Sequence, residues 1–512
     1  MMRKYLYLLV SIFLFNLSCQ SPQKEQESQL TAIEDAILND KQSFYHIDFE
    51  VYENKENLSK LPIGVFDSGT GGLTILDALV NYDSFNNETT EQGADGQEDF
   101  KNERFIYLAD QANMPYGNYF SEGKTELLQE HIIKDLQFLL SDKYYLTGDK
   151  DPKEDKDQVK AIVIACNTAT AYGFKEAKEF FKNAGLDIPL IGVIEAAGRG
   201  TISKFDKEQD ASIGVFATVG TIASDGYQET LTRLFDEAGH QGKIEIFGQG
   251  GHGVAEAVDE EPDFINPEAN TPREEYRGPS LEHQDYPIDR ALLDIYNFNY
   301  DHGKMLCDTE NPEECEVLQI NSTENYVRYH LVSMLEDIRK TEGAPALGAL
   351  VLGCTHYPYL IDEIKLVLNE LTNYTDKNGD QPYKELIAED VHIIDPAEYV
   401  AQELYLALNE NDLMNDSGDM FTESEFYISV ANKDNPEVDL DESGRMTYDY
   451  KYGRNEGEIQ EYIKVVPFDY SNISKDTWNR LKEMIPATYA LIEGFHHSNG
   501  KTSDIASDLK IN

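Results

Sequence analysis

The sequence predicts an α/β protein made of two pseudo-symmetric, mainly parallel-sheet domains that face each other across a cleft. Two apolar runs carry this prediction, Ala161-Ile-Val-Ile164 and Ala349-Leu-Val-Leu352, because runs of this composition are typical of strands buried on both faces. Each run leads to a cysteine, Cys166 or Cys354, which is followed by polar side chains and a helical pattern. Ligands of open α/β sheets bind just beyond the carboxyl ends of the strands, so we expect both cysteines at one ligand cleft.

A second repeated motif lies upstream of each cysteine. Ile63-Gly-Val-Phe66 precedes the turn Asp67-Ser-Gly-Thr-Gly-Gly72, and Ile213-Gly-Val-Phe216 precedes Ala217-Thr-Val-Gly-Thr221. The order of the motifs therefore indicates two similar halves, each contributing one thiol to a shared site. The alternative is that buried strands often look alike and that an unpaired cysteine is commonly an inert core residue. Spacing alone does not decide between the two.

Strands alternate with helices along most of the chain, which is typical of α/β proteins with mainly parallel sheets. Short apolar runs predict strands at 63–66, 104–109, 161–165, 189–194, 213–216, 349–353 and 426–430. Apolar residues at helical spacing predict helices at 31–39, 73–80, 123–140, 227–238, 326–339 and 397–408.

Changes in composition predict the domain boundaries. From these changes we expect a signal peptide at 1–19, a polar tether at 20–58, a first domain at 59–205 completed by about 385–430, a second domain at 206–384 with an insertion at about 258–340, and an extra C-terminal segment at 431–512.

The charge of the chain restricts its partners. Acidic residues outnumber basic ones by 95 to 43 among 512 residues, giving a formal net charge of −52. Such a field repels nucleic acid and anionic lipid, so a polynucleotide partner is not expected.

The N-terminus is typical of an export signal. Arg3 and Lys4 precede an apolar run over 5–17, which is shorter than the roughly 20 residues that span a bilayer as a helix. The run ends at Leu17-Ser-Cys19-Gln20, which resembles a bacterial lipoprotein signal with Cys19 as the lipidated residue. We therefore expect an exported protein anchored to the membrane through Cys19. An uncleaved anchor helix is the alternative, and an unused signal would leave the protein in the cytoplasm.

Two further cysteines lie outside the cleft motifs. Cys307 and Cys315 flank an acidic, proline-containing loop and could form a disulfide in an oxidising compartment. Zinc is not expected, since no further Cys or His pair stands at ligand spacing.

Two thiols on opposite walls of a cleft suit inversion of a stereocentre, because one thiolate removes a proton from one face of a carbon while the other thiol returns one to the opposite face. Each thiol then needs a neighbour with which to exchange protons, and Asp67 and His356 are the candidates. The glycine-rich turn after Asp67 lacks both nucleotide-binding motifs, so a small carboxylate is the better ligand, held with help from Ser68, Asn167, Thr168 and Thr355.

Four ordered motifs resemble those of bacterial glutamate racemases. They are Gly64-Val-Phe-Asp-Ser-Gly-Thr-Gly-Gly-Leu73, Met114-Pro-Tyr-Gly117, Ala165-Cys-Asn-Thr-Ala-Thr170 and Gly353-Cys-Thr-His-Tyr-Pro358. The resemblance implies cofactor-independent interconversion of L- and D-glutamate, which supplies D-glutamate for peptidoglycan and cell-wall biogenesis. It also implies roles for individual residues. The implied acid/base pair is Cys166 and Cys354, the assisting groups are Asp67, His356 and Asp110, and the substrate contacts are Asp67, Ser68, Tyr116, Gly117, Asn167, Thr168, Thr355 and His356.

The chain also departs from that family's pattern. A further assisting Glu is usual in the family near 250–261, and here Asp259 and Glu260 are the candidates to replace it. A racemase for aspartate or another amino acid is an alternative, because the sequence does not show the depth of the pocket. The export signal also leaves open a non-catalytic amino-acid-binding lipoprotein. Pyridoxal phosphate is not expected because the site motifs contain no Lys, and neither a metal nor another cofactor is implied. A homodimer is an assembly that the sequence leaves open.

Overall fold

A computed structural model describes residues 30–53, 55–258, 260–309 and 314–511 of the chain. Cys19, together with the predicted signal peptide, and Asp259 lie outside these residues. The strands are β1 (Ile63–Asp67), β2 (Phe105–Ala109), β3 (Ala161–Ile164), β4 (Leu190–Gly192), β5 (Ala211–Ala217), β6 (Ile244–Gly250), β7 (Met305–Cys307), β8 (Leu318–Ile320), β9 (Leu347–Gly353), β10 (Ile387–Ile394), β11 (Glu425–Ala431) and β12 (Ile463–Pro467).

Helices connect most of these strands. They are α1 (Ala32–Leu38), α2 (Glu50–Glu53), α3 (Lys55–Leu58), α4 (Leu73–Val80), α5 (Gly117–Ser121), α6 (Thr125–Leu140), α7 (Asn167–Ala184), α8 (Val193–Ile202), α9 (Val219–Ala223), α10 (Gly226–Glu237), α11 (Val254–Val258), α12 (Leu293–Tyr296), α13 (Thr323–Lys340), α14 (Ile361–Asn373), α15 (Pro396–Glu410), α16 (Met420–Glu423), α17 (Tyr448–Gly453), α18 (Lys475–Met484) and α19 (Pro486–Ser498). Among the described residues, none of the helices has both the length and the apolar character needed to span a membrane.

Two main sheets form the framework. The first has the strand order β12-β11-β2-β1-β3-β4 and is parallel except for β12, and the second has the order β10-β9-β5-β6 and is parallel throughout. The run β2-β1-β3-β4 corresponds strand for strand to β6-β5-β9-β10. In both sheets the Ile-Gly-Val-Phe strand pairs with the cysteine strand, with Gly64 opposite Ile162 and Gly214 opposite Leu350. The predicted fold class of two similar, mainly parallel α/β halves is confirmed.

The glycine of each Ile-Gly-Val-Phe strand lets a helix pack closely on the sheet. A methyl group at Gly64 would lie 3.0 Å from Leu139 of α6, and one at Gly214 would lie 2.6 Å from the sulfur of Met334 of α13. Interiors are close-packed, so any side chain at these positions would push the covering helix outward. The repeated motif therefore marks the same packing constraint in both halves.

The structure divides the chain between the halves differently from the sequence-based prediction. β10, at Ile387–Ile394, lies in the second sheet, whereas the first sheet is extended by β11 and β12. β12 lies within 431–512, so the predicted extra C-terminal segment supplies an edge strand of the first sheet. Likewise α13, predicted within the insertion at 258–340, packs against β6 and α14 and covers the second sheet. Sequence composition did not reveal these contacts because they join residues far apart in the chain.

The part of the insertion before α13 packs on the second half, since Ile288, Tyr296 and Met305 belong to the same buried cluster as Val327 of α13 and Leu350 of β9. Its hairpin pairs β7 with β8 in antiparallel fashion. Cys307 and Cys315 form a disulfide with a Cα–Cα distance of 5.6 Å, as predicted from the loop that they flank.

Candidate active site

The turn after β1 binds its own carboxylate. Asp67 ends β1 and is largely buried, and its Oδ2 accepts hydrogen bonds from the backbone N–H groups of Gly69 (3.2 Å) and Gly72 (2.9 Å). The prediction that this glycine-rich turn holds a ligand carboxylate through its backbone is therefore wrong for these two amides, because Asp67 already occupies them. The turn instead fixes the Asp67 side chain beside the carboxyl end of the strand. Ser68, half-buried, is the turn residue that points to the first cysteine.

Cys166 lies between β3 and α7, where it caps the helix. Its Sγ accepts a hydrogen bond from Ala169 N–H (3.3 Å) and its thiol donates to Ser68 Oγ (3.6 Å). A helix N-terminus favours a thiolate. Burial and then the nearby Asp67 carboxylate act against it, and together they raise the pKa of Cys166 to about 12. At neutral pH Cys166 is therefore a protonated thiol, able to donate rather than to accept a proton.

Cys354 follows β9 at the equivalent place in the second half. Its side chain is 7% exposed, close to the 6% of Cys166, so each thiol retains a small accessible surface. Cys354 Sγ lies 3.7 Å from Nδ1 of His356, which gives this thiol an imidazole partner where Cys166 has Asp67. Both Cys166 and Cys354 are free thiols.

Two contacts bring the halves together at these cysteines. Gly71 of the Asp67 turn faces Thr355 of the second half, since a methyl group at Gly71 would lie 3.0 Å from Thr355 Oγ1 and 3.6 Å from Asp67 Oδ2. Tyr227, at the start of α10, donates a 2.8 Å hydrogen bond to Oδ1 of Asn167, the residue after Cys166. The ring of Tyr227 also packs against Gly353, where a methyl group would lie only 2.9 Å away. Tyr227 thus spans the distance between the two cysteine motifs.

A pocket of about 210 Å³ opens between the halves beside these contacts. Its lining includes Asn167, Cys354 and Thr355, but Cys166 is not part of it. Asp395 also lines the pocket, and burial raises the pKa of this carboxyl. Of the predicted substrate contacts, Asn167 and Thr355 therefore share one cavity with the second thiol, while Ser68 contacts the first.

The Met114-Pro-Tyr-Gly motif lies at the edge of the cleft. A methyl group at Gly117 would be 3.9 Å from the Cα of Gly220 in the second half. The Tyr116 hydroxyl is buried and lies 2.6 Å from Asp110 Oδ2 and 2.7 Å from Asp135 Oδ2. Because a hydroxyl has one proton to donate, one of these two carboxyl groups must be protonated, and burial raises the pKa of both.

Asp110 therefore has a different environment from the one predicted for an assisting acid. It is fully buried, and besides Tyr116 it accepts hydrogen bonds from Asn113 and Ser429. These contacts hold the loop that follows β2. Of this motif, Gly117 is the residue that approaches the second half, while the Tyr116 hydroxyl contacts Asp110 and Asp135. Thr168, half-buried, lies in the first turn of α7 beside Asn167.

The stretch 250–261, for which an assisting acid at Asp259 or Glu260 was predicted, also contains Glu256. Glu260 is exposed and has a left-handed backbone, with φ of 53°. Glu256 lies in the first turn of α11, close to Tyr357. Burial, then the charge of Cys354, and then the charge of Glu256 raise the pKa of Tyr357. The Val-Ala-Glu stretch that carries Glu256 was visible in the sequence. Tyr227 had no such signal, since nothing in its local sequence links α10 to Asn167.

Curated relatives match most of the chain. It is 26% identical over 367 residues to a glutamate racemase of Oceanobacillus iheyensis, covering 72% of this chain and 86% of the relative. A glutamate racemase of Lactobacillus johnsonii is 26% identical over 358 residues, covering 70% and 84% of the two chains. Over this length the chain is similar to glutamate racemases. A shorter match, 33% identical over 172 residues, covers 34% of this chain and 48% of the glutamate racemase of Corynebacterium diphtheriae.

The other comparisons add little to this similarity. No family model matches the chain. A solved glutamate racemase from Bacillus anthracis aligns with a TM-score of 0.40 and 23% identity, covering 72% of this chain and 88% of that one. A glutamate racemase structure from Thermus thermophilus aligns with a TM-score of 0.37 and 22% identity, covering 73% and 90%.

Proposed function

We propose that the protein is a cofactor-independent glutamate racemase that interconverts L- and D-glutamate by proton transfer at Cα between two cysteines. The observation that carries the proposal is the equivalence of Cys166 and Cys354. Each follows the same strand of two sheets with the same strand order, and each has its own polar partner, Asp67 or His356. Two-base inversion of a stereocentre needs two such thiols, one facing each side of the same carbon.

In the proposed reaction the two thiols begin in different protonation states. Cys166 starts as the thiol, because burial and Asp67 raise its pKa to about 12. Cys354 gives its proton to Nδ1 of His356, 3.7 Å away, and becomes the thiolate. The thiolate takes the Cα proton of one enantiomer, and Cys166 donates its proton to the opposite face. The cycle ends with Cys354 as thiol and Cys166 as thiolate, which is the state needed for the reverse direction.

The polar side chains around the thiols are proposed to hold the substrate. Asn167 and Thr355 lie on opposite walls and both border the pocket next to Cys354, while Ser68 lies beside Cys166. Amide and hydroxyl groups can bind both the ammonium and the carboxylate of an amino acid. Closing the cleft on the substrate would exclude water from the carbanion-like transition state, and this strengthens each of these hydrogen bonds.

Solvent deuterium exchange tests the chemistry directly. The purified protein in D₂O should interconvert the glutamate enantiomers and place deuterium at Cα of the product, followed by circular dichroism and mass spectrometry. Cys166→Ser and Cys354→Ser should each lower racemisation by about 100-fold or more, because a serine hydroxyl is a far weaker acid and base at neutral pH. Each variant should still exchange the Cα proton of one enantiomer, the one whose proton faces the remaining thiol.

A matched control removes sulfur outside the cleft. The double variant Cys307→Ser, Cys315→Ser abolishes the disulfide of the insertion and should leave racemisation within about twofold of the wild type, since both cysteines lie in the insertion and outside the four cleft motifs. Full racemisation by either Cys166→Ser or Cys354→Ser would contradict the two-base scheme. Absence of exchange by the folded wild-type protein with every proteinogenic amino acid would favour a non-catalytic binding role.

The length of the substrate side chain is tested by comparing glutamate with aspartate. A one-carbon difference separates glutamate from aspartate, so kcat/KM should be measured for both pairs of enantiomers.

The peptidoglycan role follows from the proposed product, and complementation of a D-glutamate auxotroph tests it. We also propose that the protein is exported and anchored through Cys19, and the intact mass of membrane-extracted protein tests the acylation.

A further inference from the structure

The C-terminal segment contacts the loop that borders the cleft. α17 lies against this loop, and the ammonium of Lys451 donates a 2.7 Å hydrogen bond to the carbonyl of Met114. The hydroxyl of Tyr452, the next residue, donates to the carbonyl of Pro115 (3.4 Å). Two successive carbonyls of the loop are therefore held by two successive side chains of one short helix.

A second contact comes from β11. Ser429 is buried, and its hydroxyl donates to Asp110 Oδ1 (2.7 Å) while its oxygen accepts the N–H of Ala112 (2.9 Å). The Lys451 ammonium also lies near enough to Asp110 for the two charges to influence each other's pKa. Ser429 and Lys451 thus hold the two ends of the stretch 110–114.

The loop transmits this anchoring to the site. Met114 packs on the Asp67 turn, since a methyl group at Gly69 would lie 2.9 Å from the Met114 sulfur. Three residues further on, Gly117 faces Gly220 across the cleft. Movement of the loop would therefore alter both the Asp67 turn and the gap between the halves.

We propose that Ser429 and Lys451 are positioning residues for the substrate-binding loop, so that the C-terminal segment is an integral part of the cleft. The proposal rests on the proposed racemase function for its kinetic consequence, but the anchoring itself does not depend on catalysis. Neither residue touches the two thiols in the described contacts. Their loss should weaken substrate binding more than it slows proton transfer.

The variants Ser429→Ala and Lys451→Met test the proposal. Each should raise KM for glutamate on the order of tenfold with kcat within about threefold, because loop displacement removes binding that ground state and transition state share. Lys451→Arg keeps a donor for the Met114 carbonyl and should restore most of the affinity. Ser212→Ala, which loses a buried bond to Pro345 in the second half, and the exposed Lys433→Met are the matched controls and should leave KM unchanged.

Hydrogen exchange separates this proposal from the racemase function. Ser429→Ala and Lys451→Met should speed amide exchange in 110–120 at least about threefold while exchange in β9 and α13 stays at the wild-type rate. If the wild type lacks racemase activity but the two variants still exchange faster than it in 110–120, the anchor is supported and the enzyme is refuted. An active protein whose Ser429→Ala and Lys451→Met variants keep both KM and loop exchange would refute the anchor.

Discussion

A single methyl group at Gly71 should inactivate the site without unfolding the protein. The added carbon of Gly71→Ala would lie 3.0 Å from Thr355 Oγ1, a few tenths of an ångström inside normal contact, and 3.6 Å from Asp67 Oδ2. The Thr355 hydroxyl is the end of a side chain that can rotate, so we expect the free energy of unfolding to change by less than about 1 kcal/mol. The methyl group would nevertheless occupy the gap between the two walls. Misplacing bound substrate there should lower kcat/KM about 100-fold, which corresponds to about 2.7 kcal/mol of transition-state stabilisation.

The neighbouring glycine gives the contrast. A methyl group at Gly72 would lie 2.6 Å from Asp67 Cβ and 3.0 Å from Ala165 Cβ, atoms next to the backbone that cannot rotate away. Gly72→Ala should therefore lose about 1–3 kcal/mol of stability. Gly453→Ala, whose methyl group meets nothing within 4 Å, is the control. Urea unfolding and racemisation kinetics are measured for all three. Wild-type kcat/KM in Gly71→Ala, or a stability loss as large as that of Gly72→Ala, would refute the reasoning.

Three further predictions concern the thiol, the cleft and the core. The raised pKa of about 12 keeps Cys166 protonated, so its alkylation by iodoacetamide at pH 8 should be roughly a thousandfold slower than that of a thiol with a pKa near 8.5. The alkylation rate should rise tenfold per pH unit up to pH 10. Rapid labelling of Cys166 at pH 8, read by peptide mass spectrometry, would contradict this prediction. Tyr227→Phe loses the hydrogen bond to Asn167, which should raise KM about threefold and lower the free energy of unfolding by about 0.5–1.5 kcal/mol. Kinetics and denaturation that match the wild type would show that this hydrogen bond contributes to neither binding nor stability. Lys160→Met leaves the Glu103 carboxylate buried without its 2.6 Å ammonium partner and should lower the free energy of unfolding by about 3–5 kcal/mol. The double variant Lys160→Met, Glu103→Leu should recover much of that loss. Equal stability of Lys160→Met and the wild type in urea would show that this buried ion pair is not needed.

The features predicted well from sequence are those fixed by local pattern. The Ile-Gly-Val-Phe strands and the cysteine strands are uninterrupted apolar runs, and a run of this kind specifies a buried parallel strand wherever it lies in the chain. The positions of Cys166 and Cys354 at strand ends followed at once. A disulfide between Cys307 and Cys315 was named as one possibility, because the two residues flank a short proline-containing loop and are eight positions apart.

The features missed depend on contacts between distant residues. Neither the composition nor the periodicity of 431–512 indicates that β12 joins the first sheet or that Lys451 reaches Met114, 337 residues away. Asp110 was assigned to the site through the resemblance to glutamate racemases, and its carboxyl lies in the buried network around Tyr116. Sequence position placed the residue at the strand end, but only the packing of β11 and α6 determined where its side chain lies.

The first sheet joins strands from both ends of the polypeptide. β2 pairs with β11, with Ile106 opposite Glu425. The strands of the second sheet lie between β2 and β11 in the chain, so they are synthesised before β2 meets its partner. Until β11 leaves the ribosome, β2 offers an unpaired row of backbone groups, the kind of edge to which other nascent chains attach. Chaperone demand during synthesis should therefore persist until nearly the full chain has emerged, and any premature stop before residue 425 should yield an aggregating product instead of a smaller working protein.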